Sequence, residues 1–183
     1  MSRTITTDLS TKDLQDMQKR VDEWAKKLDE ASKGIVKDIA DFGLKEMMRI
    51  YGEAQTQYQD STPMDFSITG TEYQKNVTMS GQQAIYDEFG TGTIGERNSH
   101  PQKGEFGLNP YNSGRTIRKN KSANTTASKN NIPVGELYWT YKVDGVKKYT
   151  QGIPAQKEGY DSLKSAIKEA PSIIRKRVQE AFK

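Results

Sequence analysis

Cysteine is absent from this chain of 183 residues, and histidine occurs once. Without cysteine there is no disulfide framework, no zinc ribbon and no thiol nucleophile. A single histidine excludes every metal site or catalytic scheme that needs two. Apolar residues are also scarce, at 33%. An average globular chain has about 45–50% by a count that includes glycine. No apolar run approaches the ~18 residues of a membrane span. Met1-Ser2-Arg3-Thr4 opens no apolar stretch, so no leader is expected and the setting reads as intracellular. The length suits one domain on a prior of roughly 100–200 residues. With 28% charged residues, part of its surface is expected to be solvated or covered by other subunits.

The net charge of +4 conceals segregation. Residues 1–58 carry a net −1, 59–96 a net −5, 97–131 a net +6, 132–155 a net +1 and 156–183 a net +3. An acidic stretch followed directly by a basic one suggests two faces for different neighbours, or for one another.

Leu14, Met17, Val21, Trp24, Leu28, Ala31 and Ile35 recur at alternating spacings of three and four. That is a helical seam with charges filling the other positions. Three heptads are few, and Ala31 is a weak seam residue, so the stripe reads as core rather than as a free coiled coil. Ser10 followed by Asp13 resembles a capping box. The seam stops at Asp38, where the next apolar residue should fall, and a displaced stripe runs on through Ile39, Phe42 and Met47 to Tyr51. Gly34 and Gly43 lie in this change of phase, and each costs about 1 kcal/mol in a helix. The pattern predicts a bend or break near Gly34 and two helices, about 11–32 and 34–57, within a helical part spanning 11–58.

Pro63 closes the helical region, since the residue before a proline is disfavoured in helix. Alternation at Phe66, Ile68, Val77 and Met79 predicts short strands at about 65–69 and 74–79 within an acidic part spanning 59–96. From Ile94 to Asn131 large apolar residues are few, and 97–131 is expected to be a long basic loop. In isolation, 112–131 reads as disordered. Glu136 to Val143 and Val146 to Thr150, joined by Asp144-Gly145, form a hairpin within 132–155. Tyr160, Leu163, Ile167, Ala170, Ile174, Val178 and Phe182 share one stripe of a helix within 156–183, which Pro171 kinks or divides. The expected architecture is a single α+β domain. It has a small, mainly antiparallel sheet, long N-terminal helices, a C-terminal helix and a long basic loop.

Ala84-Ile85-Tyr86-Asp87-Glu88-Phe89-Gly90-Thr91-Gly92 resembles the A-x-x-v-E-F-G-T-G signature of a family of small tailed-phage proteins. These are described as tail-component, tail-completion or minor capsid proteins. Gly152-Ile153-Pro154-Ala155 is similar to that family's G-x-P-A element before a C-terminal helix. His100-Pro101 sits where many members carry H-P. After G-x-P-A, however, Gln156-Lys157-Glu158-Gly159 is polar where the family usually has an apolar pair. The resemblance covers most of the chain in order, and its specific parts are about 85–101 and 138–155.

The resemblance implies a structural virion protein of the head–tail interface, assembled in the host cytoplasm. It would form a hexameric or twelvefold ring of copies around the DNA channel. Its other partners would be the connector or adaptor and the tail terminator or tail tube. No membrane, small-molecule substrate or cofactor is implied. The expected subunit-interface residues are Glu88, Phe89, Gly90, Thr91, Gly92, Arg115 and Arg118.

Independently of the family, Gly90 and Gly92 offer positive-φ freedom just after a strand. Phe89 is a candidate core anchor, and Glu88 a candidate for a charge-assisted hydrogen bond, within the subunit or to a neighbour's Arg or Lys. A second reading is non-sequence-specific nucleic-acid binding through Arg115, Arg118, Lys119 and Lys121. No catalytic, cofactor-binding or metal-ligating residue is expected. Asp87 and Glu88, adjacent on a strand, would point to opposite faces, and His100 beside Pro101 reads as structural.

Overall fold

The structure is a computed structural model that describes residues 10–58, 63–81, 84–90, 100–102, 118–143, 145–152 and 155–183. It is an α+β fold. The elements are α1 (Thr11–Tyr58), β1 (Asp65–Gly70), β2 (Lys75–Ser80), α2 (Ala84–Phe89), β3 (Arg118–Lys119), α3 (Thr126–Lys129), β4 (Leu137–Val143), β5 (Val146–Thr150) and α4 (Glu158–Ala181). Among the described residues, no helix is long and apolar enough to cross a membrane.

The expected pair of N-terminal helices is one helix of 48 residues. Its first turn is closed by the capping box: Ser10 N–H and Oγ donate to Asp13 Oδ2 at 3.0 and 2.6 Å, and Asp13 N–H donates to Ser10 Oγ at 3.2 Å. The two glycines do not break it because they serve packing. α4 runs antiparallel along α1, with Trp24 against Phe182, Gly34 beside Arg177 and Gly43 facing Ala166. A Cβ on Gly34 would sit 3.3 Å from the Arg177 Nε, and one on Gly43 would sit 3.8 Å from the Ala166 Cβ. Helix contact outweighs a propensity cost of about 1 kcal/mol per glycine. Pro171 likewise lies inside a continuous α4, as packing along α1 carries the helix across the missing N–H.

Asp38 interrupts the seam because it pairs with α4. Arg177 Nε and Nη2 donate to its two carboxylate oxygens at 2.7 and 2.8 Å. The guanidinium holds the Asp38 carboxyl below its ordinary value, chiefly through these hydrogen bonds.

The stripe on the first half of α1 is not core. Ala31, Ala40, Met47 and Tyr51 are buried, but Leu14, Met17, Val21, Trp24 and Leu28 are exposed by half or more. Trp24 meets Phe182 near the end of α4 and still stays largely exposed, and Leu14, Met17 and Val21 lie beyond that contact.

β1 and β2 form an antiparallel hairpin in which Phe66 pairs with Met79 and Ile68 with Val77. These four residues fall on one half-buried face, and Phe66 meets Tyr51 of α1 at 5.4 Å between ring centroids. The hairpin tip is tied to α1 as well. Tyr73 Oη donates to Asp29, and Lys33 Nζ lies 3.0 Å from Asp29 and 2.9 Å from Glu72. Gly70 turns the tip at φ +113°, where a Cβ would lie 2.2 Å from the Gln74 carbonyl oxygen.

A second sheet has the order β3-β4-β5, all antiparallel. Here the long-loop expectation needs correction. Residues 118–131 contain a short edge strand and a helical turn organised by Asn120, which is 1% exposed. Asn120 Nδ2 donates to Ser128 Oγ and to the Ile132 carbonyl, each at 2.7 Å, and Thr125 Oγ1 donates to Asn120 Oδ1 at 2.6 Å. Its backbone N–H reaches the Glu136 carbonyl at 2.9 Å. A polar side chain replaces an apolar core here, and hydropathy does not register that.

Two outcomes follow. Gly70→Ala forces a side chain into a left-handed conformation against backbone, and should cost more than about 1 kcal/mol in denaturant unfolding. Asp38→Asn should flatten part of the acid limb of stability. Because the Asp38 pKa is lowered by folding, its contribution is complete above its unfolded value of ~4 and fades as pH falls through the lowered folded value. The pair is partly exposed, so the difference in unfolding free energy between wild type and variant, from urea titrations, should stay at ~1 kcal/mol.

Candidate functional site

Three parts of the sequence meet at the start of α4. Its backbone needs a partner there, because the first four N–H groups of any helix have no intrahelical acceptor. The preceding residue, Lys157, sits in the left-handed region at φ 61° and makes no side-chain cap. Glu88, at the end of α2, supplies the acceptor from elsewhere in the chain. Its Oε2 accepts from Gly159 N–H at 2.7 Å and its Oε1 from Tyr160 N–H at 2.9 Å. A negative charge at a helix N-terminus is also favoured by the helix dipole. Gly159 makes the approach possible, since a Cβ there would lie 3.2 Å from Glu88 Oε2.

His100 completes the cap. Its Nε2 lies 2.9 Å from Glu88 Oε1, and its Nδ1 accepts from Gln102 N–H at 3.0 Å. An Nδ1 that accepts a backbone N–H carries no proton, so the proton sits on Nε2 and is donated to Glu88. The ring is 2% exposed. It lies between Phe89 and Tyr160, with centroids 4.5 and 5.0 Å away. Both ring nitrogens and both carboxylate oxygens are therefore engaged inside the chain, and the chemistry of the cluster is that of a cap. Glu158, at the first position of α4, is fully buried beside it.

The 84–89 segment is a short helix, not the strand expected before the glycines. Asp87 and Glu88 therefore do not alternate across a strand. Gly90 ends the helix at φ 73°, as a left-handed residue after a helix does. Phe89 is buried, as a core anchor should be. Thr91, Gly92 and Arg115 lie outside the described residues. Glu88, Phe89 and Gly90 are brought together with His100; Arg118, Lys119 and Lys121 are not among their partners. Arg118 and Lys119 are exposed on edge strand β3, facing Tyr138 and Leu137 of β4 in register, and exposed Lys121 follows the Asn120 anchor.

Sequence reasoning identified Glu88 and His100 separately and missed their joint role with Gly159 and Tyr160. One signal was available. Gln156-Lys157-Glu158-Gly159 contains none of the Ser, Thr, Asp or Asn residues that usually cap a helix, so the cap had to come from elsewhere. Among the described residues, no group of three or more His, Cys, Asp or Glu side chains is placed to hold a metal ion.

Glu88→Ala should lower stability by about 2–4 kcal/mol in urea unfolding, through the orphaned helix N–H groups and the buried imidazole. Glu88→Gln retains one acceptor oxygen and should cost roughly half as much. Equal losses in the two variants would show that contacts of the side-chain stem, not the cap, carry the effect. Comparisons with protein-family models, characterised proteins and solved structures find no match.

Proposed function

We propose that this chain is a structural virion protein of a tailed phage. In this reading it is a tail-completion or neck subunit that assembles with its own copies into a ring around the DNA channel at the head–tail interface. The observation that carries the reading is the cap on α4. Glu88, Phe89, Gly90 and His100, which carry much of the sequence resemblance, are gathered at one junction and used to set a helix rather than to bind a ligand. A motif kept for the shape of a subunit suits a protein whose work is association. Its partners are further copies, the connector or adaptor, and the tail terminator or tail tube. Its place is the virion, and the reading requires neither catalysis nor a cofactor.

A second reading is non-sequence-specific binding of nucleic acid. It is favoured by the basic edge formed by Arg118, Lys119 and Lys121, which the Asn120 network holds in place instead of leaving on a free loop. Such an edge can neutralise phosphates without reading bases.

Light scattering on the purified chain at low and moderate salt, with and without DNA, separates the two. The first reading expects a discrete assembly of six or twelve copies independent of DNA, and co-purification with connector or tail proteins. It also expects the assembly to survive when Arg118, Lys119 and Lys121 are all changed to Glu. A monomer that binds DNA with a steep salt dependence, weakened by that triple change, favours the second reading. A monomer with neither neck partners nor DNA affinity overturns both.

A further inference from the structure

One face of the β3-β4-β5 sheet carries a pair of tyrosines between cations. Residues opposite one another in an antiparallel register share a face, as do residues two apart along a strand. Arg118 stands opposite Tyr138, and Thr140 opposite Tyr149. Arg118, Tyr138, Thr140, Tyr149 and Lys147 therefore lie on one side of the sheet. Trp139, 2% exposed, takes the other side. The two tyrosine rings meet at 5.9 Å between centroids with a tilt of 40°. Lys147 Nζ lies 5.6 Å from the centre of the Tyr149 ring. Both tyrosines are half-buried and keep part of their surface open, while Arg118 and Lys147 are exposed.

The cations of this sheet have no acid of their own. Lys33, Lys37, Arg49 and Arg177 on the long helices each hold a carboxylate. Among the described residues, no carboxylate pairs with Arg118, Lys119, Lys121, Lys147 or Lys148. Glu136, the acid in the same alternation as Tyr138, precedes β4 and accepts from Gln151 Nε2 at 3.3 Å. Five basic side chains on one small sheet and its margin repel one another, and a polyanion removes that repulsion.

The tyrosines select among polyanions. A run of carboxylates meets the negative faces of aromatic rings and gains nothing from them. A duplex keeps its bases stacked on one another and presents chiefly its phosphates. A single strand offers phosphates to the cations and unstacked bases to the rings. Each base stacked on an aromatic side chain adds about fivefold or more in affinity, whatever the base.

We infer that this face binds single-stranded nucleic acid, with bases stacked on Tyr138 and Tyr149 and phosphates held by Arg118 and Lys147. The inference rests on the nucleic-acid reading above and deepens it. It carries the contact from the basic edge onto the sheet face and names the strandedness of the ligand.

Fluorescence anisotropy with the full chain tests it. The probes are a labelled oligothymidylate of about 16 nucleotides, an abasic strand of the same length and charge, and a duplex. Oligothymidylate should bind about tenfold or more tighter than the abasic strand, a comparison that needs no variant. Tyr149→Ala should lower affinity for oligothymidylate about fivefold or more, and Tyr149→Phe should retain it. Lys147→Ala should lessen the slope of log K against log salt by about 0.7. Equal affinity for the abasic strand, or equal or higher affinity for the duplex, would overturn the inference and leave the basic edge as a phosphate-binding surface. Displacement of oligothymidylate by polyglutamate of equal charge would overturn it in favour of an acidic protein partner. Absence of binding to every probe at low salt would overturn the inference and the nucleic-acid reading together.

Discussion

The described part of the chain depends on a carboxylate that caps a helix 71 residues further along. α4 begins on a left-handed lysine with no cap of its own, and Glu88 provides the missing acceptor. The bond fixes more than one turn. It joins α2 to α4, draws His100 into a nearly dry position between Phe89 and Tyr160, and orients α4 where it starts along α1. The other end of α4 is held by the bidentate Arg177–Asp38 pair. The helix is thus fastened at both ends by charged groups, with small residues between them. Gly34, Gly43 and Ala166 allow close approach.

This arrangement accounts for the low apolar content. Much of what the described chain buries is small or polar. Ala31, Ala40 and Ala166 line helix contacts, while His100, Asn120, Glu158 and Ser162 are buried polar residues. Buried polar groups are tolerated when hydrogen-bonded, and Asn120 shows how far that extends, with side chain and backbone both engaged. Large apolar residues are meanwhile left at the surface of α1 and α4. Exposed apolar faces of this kind suit the proposed ring, in which subunits complete their packing against one another.

Much of the architecture was legible in the residues. The β1–β2 and β4–β5 hairpins follow from alternation and turn chemistry, and their observed limits fall within a residue of those expected. The capping box at Ser10 and the helical character of both terminal regions were likewise local properties. The misreadings have physical causes. Gly34 looks like a helix breaker until Arg177 is seen against it. The 84–89 segment carries too few apolar positions to declare a period, and it folds as a helix ending at Gly90. The seam from Leu14 to Leu28 shows the helix and its apolar face but not whether anything covers that face.

By itself the sequence determined what depends on near neighbours: helical periodicity, strand alternation, turns at Gly70 and Gly145, and the exclusion of cysteine chemistry. Tertiary structure decided which of those surfaces meet. It decided that Glu88 caps α4, that His100 carries its proton on Nε2, that Asp38 faces Arg177, and that half of the α1 stripe stays exposed. The reason is one of distance. A cap or an ion pair formed between residues 71 or 139 apart leaves no periodic trace in the chain, because its geometry exists only once the elements between them are in place.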